Sequence, residues 1–131
     1  MNMQKHISKL KLKYDLKIDN DHYPLAEALL GVCMRDKGEI DTALIHFLNV
    51  ANTLNKDSSL ANFRSYAFYL IAEIHMQINE VDIAGTHYKK ALKIAQKVDH
   101  KTTVFRSLIG LGVWHQQKKT IRKVSDFLSK H

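Results

Sequence analysis

Little in this chain breaks or staples a backbone. One proline and five glycines in 131 residues leave few interruptions, so most of the length is expected to be helix. A single cysteine, Cys33, excludes an internal disulfide and makes a reducing cytoplasm the expected compartment. No apolar run approaches the ~20 residues of a membrane-spanning helix, and the sequence opens without a signal peptide's apolar h-region. Chemistry-bearing motifs are missing too. The eight histidines form no His-x-x-x-His pair, and there is no Cys-x-x-Cys, so the sequence gathers no set of zinc ligands. There is no nucleophile elbow, phosphate-cradling glycine loop or convincing carboxylate pair. No catalytic residue, metal or cofactor is expected, and the chain does not read as an enzyme.

What is present is a repeat. Gly38-Glu39-Ile40-Asp41-Thr42-Ala43-Leu44-Ile45-His46-Phe47 returns 41 residues later as Asn79-Glu80-Val81-Asp82-Ile83-Ala84-Gly85-Thr86-His87-Tyr88. A fixed period of this size marks stacked units that cover one another's apolar faces, an architecture of binding scaffolds. Charge is placed unevenly around this body. Residues 1–20 hold five lysines against two aspartates, residues 118–131 hold five Lys/Arg against one Asp, and the rest is balanced, for a net charge of +7. Basic ends can attract nucleic acid, acidic protein or anionic lipid, or simply keep the chain soluble.

Apolar periodicity predicts six helices in three antiparallel pairs. The first covers about 23–37, with Leu25, Leu29, Leu30 and Val32 to Met34 inward, Pro24 in its first turn and Asp21 as cap. The second covers 40–55 on Ala43, Leu44, Phe47, Val50, Ala51 and Leu54, followed by a turn at Lys56-Asp57-Ser58-Ser59. The third covers 60–78 on Phe63, Ala67, Leu70, Ile71, Ile74 and Ile78. The fourth covers 81–98 on Ala84, Tyr88, Ala91, Leu92 and Ala95. The fifth covers 102–117, and the sixth 120–130 turns Ile121, Val124, Phe127 and Leu128 inward. Cys33, between Val32 and Met34, reads as a small buried hydrophobe. Residues 1–20 read either as the second helix of a truncated earlier repeat or as a frayed end. The domain expected is 21–131, in units of about 23–57, 60–99 and 102–131.

Small residues recur in the first helix of each pair at Gly31, Ala72 and Gly112. Ala43, Ala84 and Val124 follow twelve residues on, and Phe47, Tyr88 and Leu128 four further. This small–small–large pattern resembles the tetratricopeptide repeat, stretched from its usual ~34 residues. The third unit departs from it, with valine and leucine for the second small residue and the aromatic. From Leu30 to about Leu128 the chain further resembles the repeat region of the Rap-type response-regulator aspartate phosphatases of Gram-positive bacteria. Phe68-Tyr69-Leu70-Ile71-Ala72-Glu73-Ile74 and Ala91-Leu92-Lys93-Ile94 carry that likeness. The resemblance implies an all-α hairpin solenoid, a cytoplasmic signalling role, and a concave surface that holds short peptides. Family phosphatase activity resides in an N-terminal helical bundle that supplies a glutamine. Nothing here corresponds to that bundle, and Gln4 sits in too short a segment to replace it. The family's peptide-clamping asparagines are also absent, because Val32, Glu73 and Val113 follow the small residues.

On the first helices, concave positions fall at Leu25, Ala28, Val32, Tyr66, Tyr69, Glu73, Arg106, Ile109, Val113 and Gln116. The row is apolar and aromatic, punctuated by Glu73 and Arg106, as binding anchors for a protein or short peptide often are. The same face could instead pack on further repeats or on a second copy of the chain. The expectation is a non-catalytic protein- or peptide-binding module, with nucleic acid and membrane not the expected partners. Two alternatives stand beside it. One is a basic accessory protein of nucleic acid or membrane, suggested by Lys118-Lys119-Thr120-Ile121-Arg122-Lys123-Val124, and the other is a truncated remnant without function.

Overall fold

A computed structural model describes residues 23–52 and 58–130, and every element in it is an α-helix. Helix α1 spans Tyr23–Asp36, α2 Ile40–Ala51, α3 Ser58–Gln77, α4 Val81–Lys97 and α5 Lys101–Lys130. The segment 1–20, the Asp21 cap, Leu54 and the turn residues Lys56 and Asp57 lie outside the described residues. None of the described helices is long and apolar enough to cross a membrane.

Three helix ends close in the same way, and these closures set the topology. After α1, the Gly38 N–H bonds to the Arg35 carbonyl at 2.9 Å and the Glu39 N–H to the Met34 carbonyl at 2.9 Å. The same pair of bonds recurs after α3, from Asn79 to Met76 and Glu80 to His75, and after α4, from Asp99 to Gln96 and His100 to Ala95. Each motif needs one residue in the left-handed region, supplied by Gly38 (φ 85°), Asn79 (φ 68°) and Asp99 (φ 55°). Glycine, asparagine and aspartate are the residues that reach this region at least cost. Such tight turns fold α2 back on α1, α4 on α3 and α5 on α4. Contacts between α1 and α3, and between α3 and α5, bring the alternate helices side by side.

Burial follows the helical period. Helix α2 buries Ala43, His46, Phe47, Val50 and Ala51, and α4 buries Val81, Ala84, Gly85, Tyr88, Ala91 and Ala95. Ala43, Phe47, Val50 and Ala51 of α2, Ala67, Leu70, Ile71 and Ile74 of α3 and Ala91 of α4 build one main apolar cluster, and Ala72, Ala84 and Tyr88 form a smaller one. Small residues set the helix spacing. The Phe47 ring fills the space a side chain at Gly31 would need, Tyr88 does so at Gly110, and Trp114 at Gly85.

Several sequence expectations are corrected. The two helices expected over 102–117 and 120–130 are one, because α5 runs unbroken for 30 residues. Gln117-Lys118-Lys119-Thr120 offers no glycine, asparagine or aspartate to adopt the left-handed closure used at the other three ends. The third hairpin is therefore not formed, and five helices stand among the described residues where six are expected. Ile121, Val124, Phe127 and Leu128, expected inward, are all more than half exposed as a result. On α1, Leu25 and Leu29 face outward, while Ala26, Glu27, Ala28 and Leu30 are buried. Ile78, in the turn after α3, is exposed, and so is Cys33.

The core also holds a polar pair that no apolar pattern announces. His46 is fully buried with Nδ1 3.4 Å from Glu27 Oε2, and Asn49 donates to Glu27 Oε1 at 2.7 Å. The second repeat-related histidine, His87, stacks on His75 with ring centroids 5.6 Å apart. Burial is the main reason its pKa lies below the ordinary 6.5, and the charges of Lys90 and His75 push the same way, against the hydrogen bond that the ring Nδ1–H donates to the Ile83 carbonyl. A lowered folded pKa means the unfolded chain binds the proton first. The stability tied to neutral His87 is whole above about pH 6.5 and drains as pH falls through the lowered value. In urea melts from about pH 7 to about pH 5, His87→Gln is expected to lose less stability than the parent chain. Equal losses would mean His87 plays no part in the acid response.

Candidate binding cleft

Helix α3 supplies the floor. Tyr66, Tyr69, Glu73 and Met76 fall at intervals of three and four residues, so one face of the helix carries all of them. Arg35, at the end of α1, and Arg106, on α5, stand on either side. Together with Leu70, Ile74 and Gln77 these residues line a cleft of about 470 Å³. A second cleft of about 250 Å³ adjoins it, sharing Tyr69, Glu73, Met76 and Arg106 and adding Tyr88, Ile109, Gly110 and Val113. The shared residues make the two clefts one groove along α3.

The walls are held in place by polar contacts. Tyr66 and Tyr69 stack with centroids 5.9 Å apart and planes 26° from parallel. Arg106 Nη1 donates to the Tyr66 hydroxyl at 3.2 Å, which ties α5 to the far end of the tyrosine pair. The Tyr88 hydroxyl donates to Glu73 Oε1 through a short hydrogen bond, and its ring lies 6.2 Å from that of Tyr69. Burial, then the bond to Glu73 and its charge, push the Tyr88 phenol far above its ordinary range. Burial and the Glu73 charge also raise Tyr69, against the opposing pull of Arg106. Both stay neutral phenols, offering apolar ring faces and hydrogen bonds. Arg35 leans toward Asp36, at 3.3 Å, and remains partly exposed.

No family model, no curated protein and no solved structure matches this chain. What the groove can hold follows from its own walls. Of the ten expected concave positions, Tyr66, Tyr69, Glu73, Arg106, Ile109 and Val113 come together in it. The other four do not line either cleft. Ala28 is buried in the main core and Val32 packs against it, while Leu25 and Gln116 are exposed. Sequence reasoning passed over Arg35, Met76 and Tyr88. The 41-residue repeat marks Tyr88 as a packing aromatic, and its hydroxyl reaches the groove only because Glu73 lies fifteen residues earlier on the neighbouring helix. Among the described residues no three His, Cys, Asp or Glu side chains converge as a metal site would require.

Proposed function

We propose that the chain is a non-catalytic scaffold of tetratricopeptide-like hairpins whose groove along α3 docks a short peptide or an extended segment of another protein. The observation that carries the reading is the groove itself, two adjoining clefts built on the stacked Tyr66–Tyr69 pair and flanked by guanidinium groups. Concave apolar sites with a few convergent polar groups are where ligands bind. Tyrosine and arginine are the side chains on which interface energy concentrates. Arg35 and Arg106 outnumber Glu73 among the charged lining residues, and Glu73 Oε1 already accepts from the Tyr88 hydroxyl, so an acidic residue beside an apolar one is the favoured ligand composition.

Support for the repeat reading comes from the small–small–large positions. Phe47 rests on Gly31, and Ala72, Ala84 and Tyr88 form one cluster. The likeness to Rap-type regulators rests on residues such as Leu70, Ala72, Ile74 and Ala91, all buried, so it is a likeness of packing. Peptide docking in the groove does not depend on that kinship. Peptides enriched from a random display library on the parent chain are expected to lose at least about tenfold in affinity for Tyr66→Ala/Tyr69→Ala, since two anchors are removed. Both tyrosines are half-buried and pack against the core from its edge, so the melting transition should fall somewhat, and affinities are compared at a temperature where both proteins are folded. Peptides that bind both proteins equally would sink the proposal.

A further inference from the structure

The projecting end of α5 has a chemistry of its own. The face that α5 turns to the body runs through Thr103, Ser107, Gly110 and Trp114, and it stops at Lys118, whose Nζ meets Asp82 Oδ1 at 2.9 Å near the start of α4. Beyond that point every residue from 119 to 130 is exposed, a projection of about 18 Å. The inward stripe nevertheless continues along it. Ile121, Val124 and Leu128 are 53%, 53% and 66% exposed, and with Thr120 and Ser125 they line a shallow hollow to which none of the other described helices contributes. The helical period places Lys119, Arg122, Lys123 and Lys130 on the opposite side, with Asp126 among them. Among the described residues no other helix covers the stripe of Ile121, Val124 and Leu128, and about 12 residues make a marginal helix in water unless such a stripe is covered.

We propose that this projecting helix seats the protein on an anionic lipid bilayer, apolar stripe down and lysines among the headgroups. Charge selects the occupant. Residues 118–131 hold five Lys/Arg against one Asp, and a second copy laid stripe to stripe would cover the apolar side alone and leave these charges unmet on the outer side. A nucleic acid would engage the basic side alone and leave Ile121, Val124 and Leu128 in water. A basic amphipathic helix beside an anionic interface satisfies both sides at once. Among the described residues the stripe is also carried by a single helix, with no second wall to shape a pocket around a protein side chain.

The full chain is mixed with vesicles of equal parts phosphatidylglycerol and phosphatidylcholine, and with vesicles of phosphatidylcholine alone, and sedimented. Binding is expected to the mixed vesicles only and to weaken steeply as salt rises. Ile121→Ser/Leu128→Ser should reduce partitioning at least about tenfold. Lys119→Ala and Lys123→Ala should each reduce it about fivefold. These side chains are exposed, so the far-UV dichroism of all variants should match the parent. Failure to sediment with the mixed vesicles overturns the proposal, as does equal binding to both compositions. It is overturned equally if the serine variant abolishes a dimer of the parent chain, or if the basic end binds duplex DNA just as well with the stripe removed. None of these results bears on the groove along α3.

Discussion

Phe47→Ala is expected to cost about 3–5 kcal/mol, the range for emptying a buried aromatic site. Native domains hold only about 5–15 kcal/mol in all, and a chain this small should lose most of its cooperative melt. Phe47 is 0% exposed, its ring occupies the space beside Gly31, and it belongs to the cluster with Val50, Ile71 and Ile74 that joins α2 to α3. Ile45, on the same helix, is 49% exposed. Its replacement by alanine should move the urea midpoint within the small range of surface changes, about 0.5 kcal/mol. Similar midpoints for the two variants would mean that the helix is not docked in this register.

The second large effect is a difference of sign between two glycines on one helix. Alanine in place of an exposed helical glycine usually stabilises by up to about 1 kcal/mol, because glycine forfeits more backbone entropy on folding. Gly112 has open space where a Cβ would go and should behave this way. At Gly110 the same methyl would meet the Tyr88 ring, which is 2% exposed and tied by its hydroxyl to Glu73, so it has nowhere to go. Gly110→Ala is expected to destabilise by about 1–3 kcal/mol. Adding Tyr88→Leu should recover part of that loss in a double-mutant cycle. If both glycine variants shift the melt in the same direction, the close approach of α4 and α5 at Gly110 is wrong.

The helices α1 to α4 were legible because local signals agree with tertiary ones. Gly38 and Asn79 stand at equivalent points of the repeat, each ends a helix in the left-handed region, and the apolar period resumes at Ile40 and Val81. Residues 117–120 lack such agreement. Their polarity reads as a turn, yet lysine, glutamine and threonine sit in a helix readily enough, and Lys118 is held by Asp82 and lies over the Trp114 ring. The continuous α5 follows from these contacts, which depend on α4 being in place. Leu25 and Leu29 misled for a related reason. Burial on α1 goes to the small Ala26 and Ala28 and to Glu27, whose Oε1 accepts from Asn49 and whose Oε2 lies 3.4 Å from His46 Nδ1.

The groove was half legible. Tyr66, Tyr69 and Glu73 share a face of α3 by spacing alone, and Arg106, Ile109 and Val113 share one of α5. That these two faces converge is a long-range fact, recorded in the bond from Arg106 to Tyr66 across forty residues. Arg35 could not be placed without knowing how α1 ends against α3. Ala28 and Val32 were expected on the concave side, yet Ala28 is buried in the main core and Val32 packs, partly buried, against it.

The central claim is that a ligand sits in the groove along α3. Its most direct test is an amide and side-chain chemical-shift map of the isotope-labelled chain titrated with a peptide enriched on it. Shifts concentrated at Tyr66, Tyr69, Glu73, Met76 and Arg106, saturating with the binding curve, are the predicted result. Shifts confined to the outer face of α2 or to the projecting end of α5, with those five residues unmoved, would contradict it.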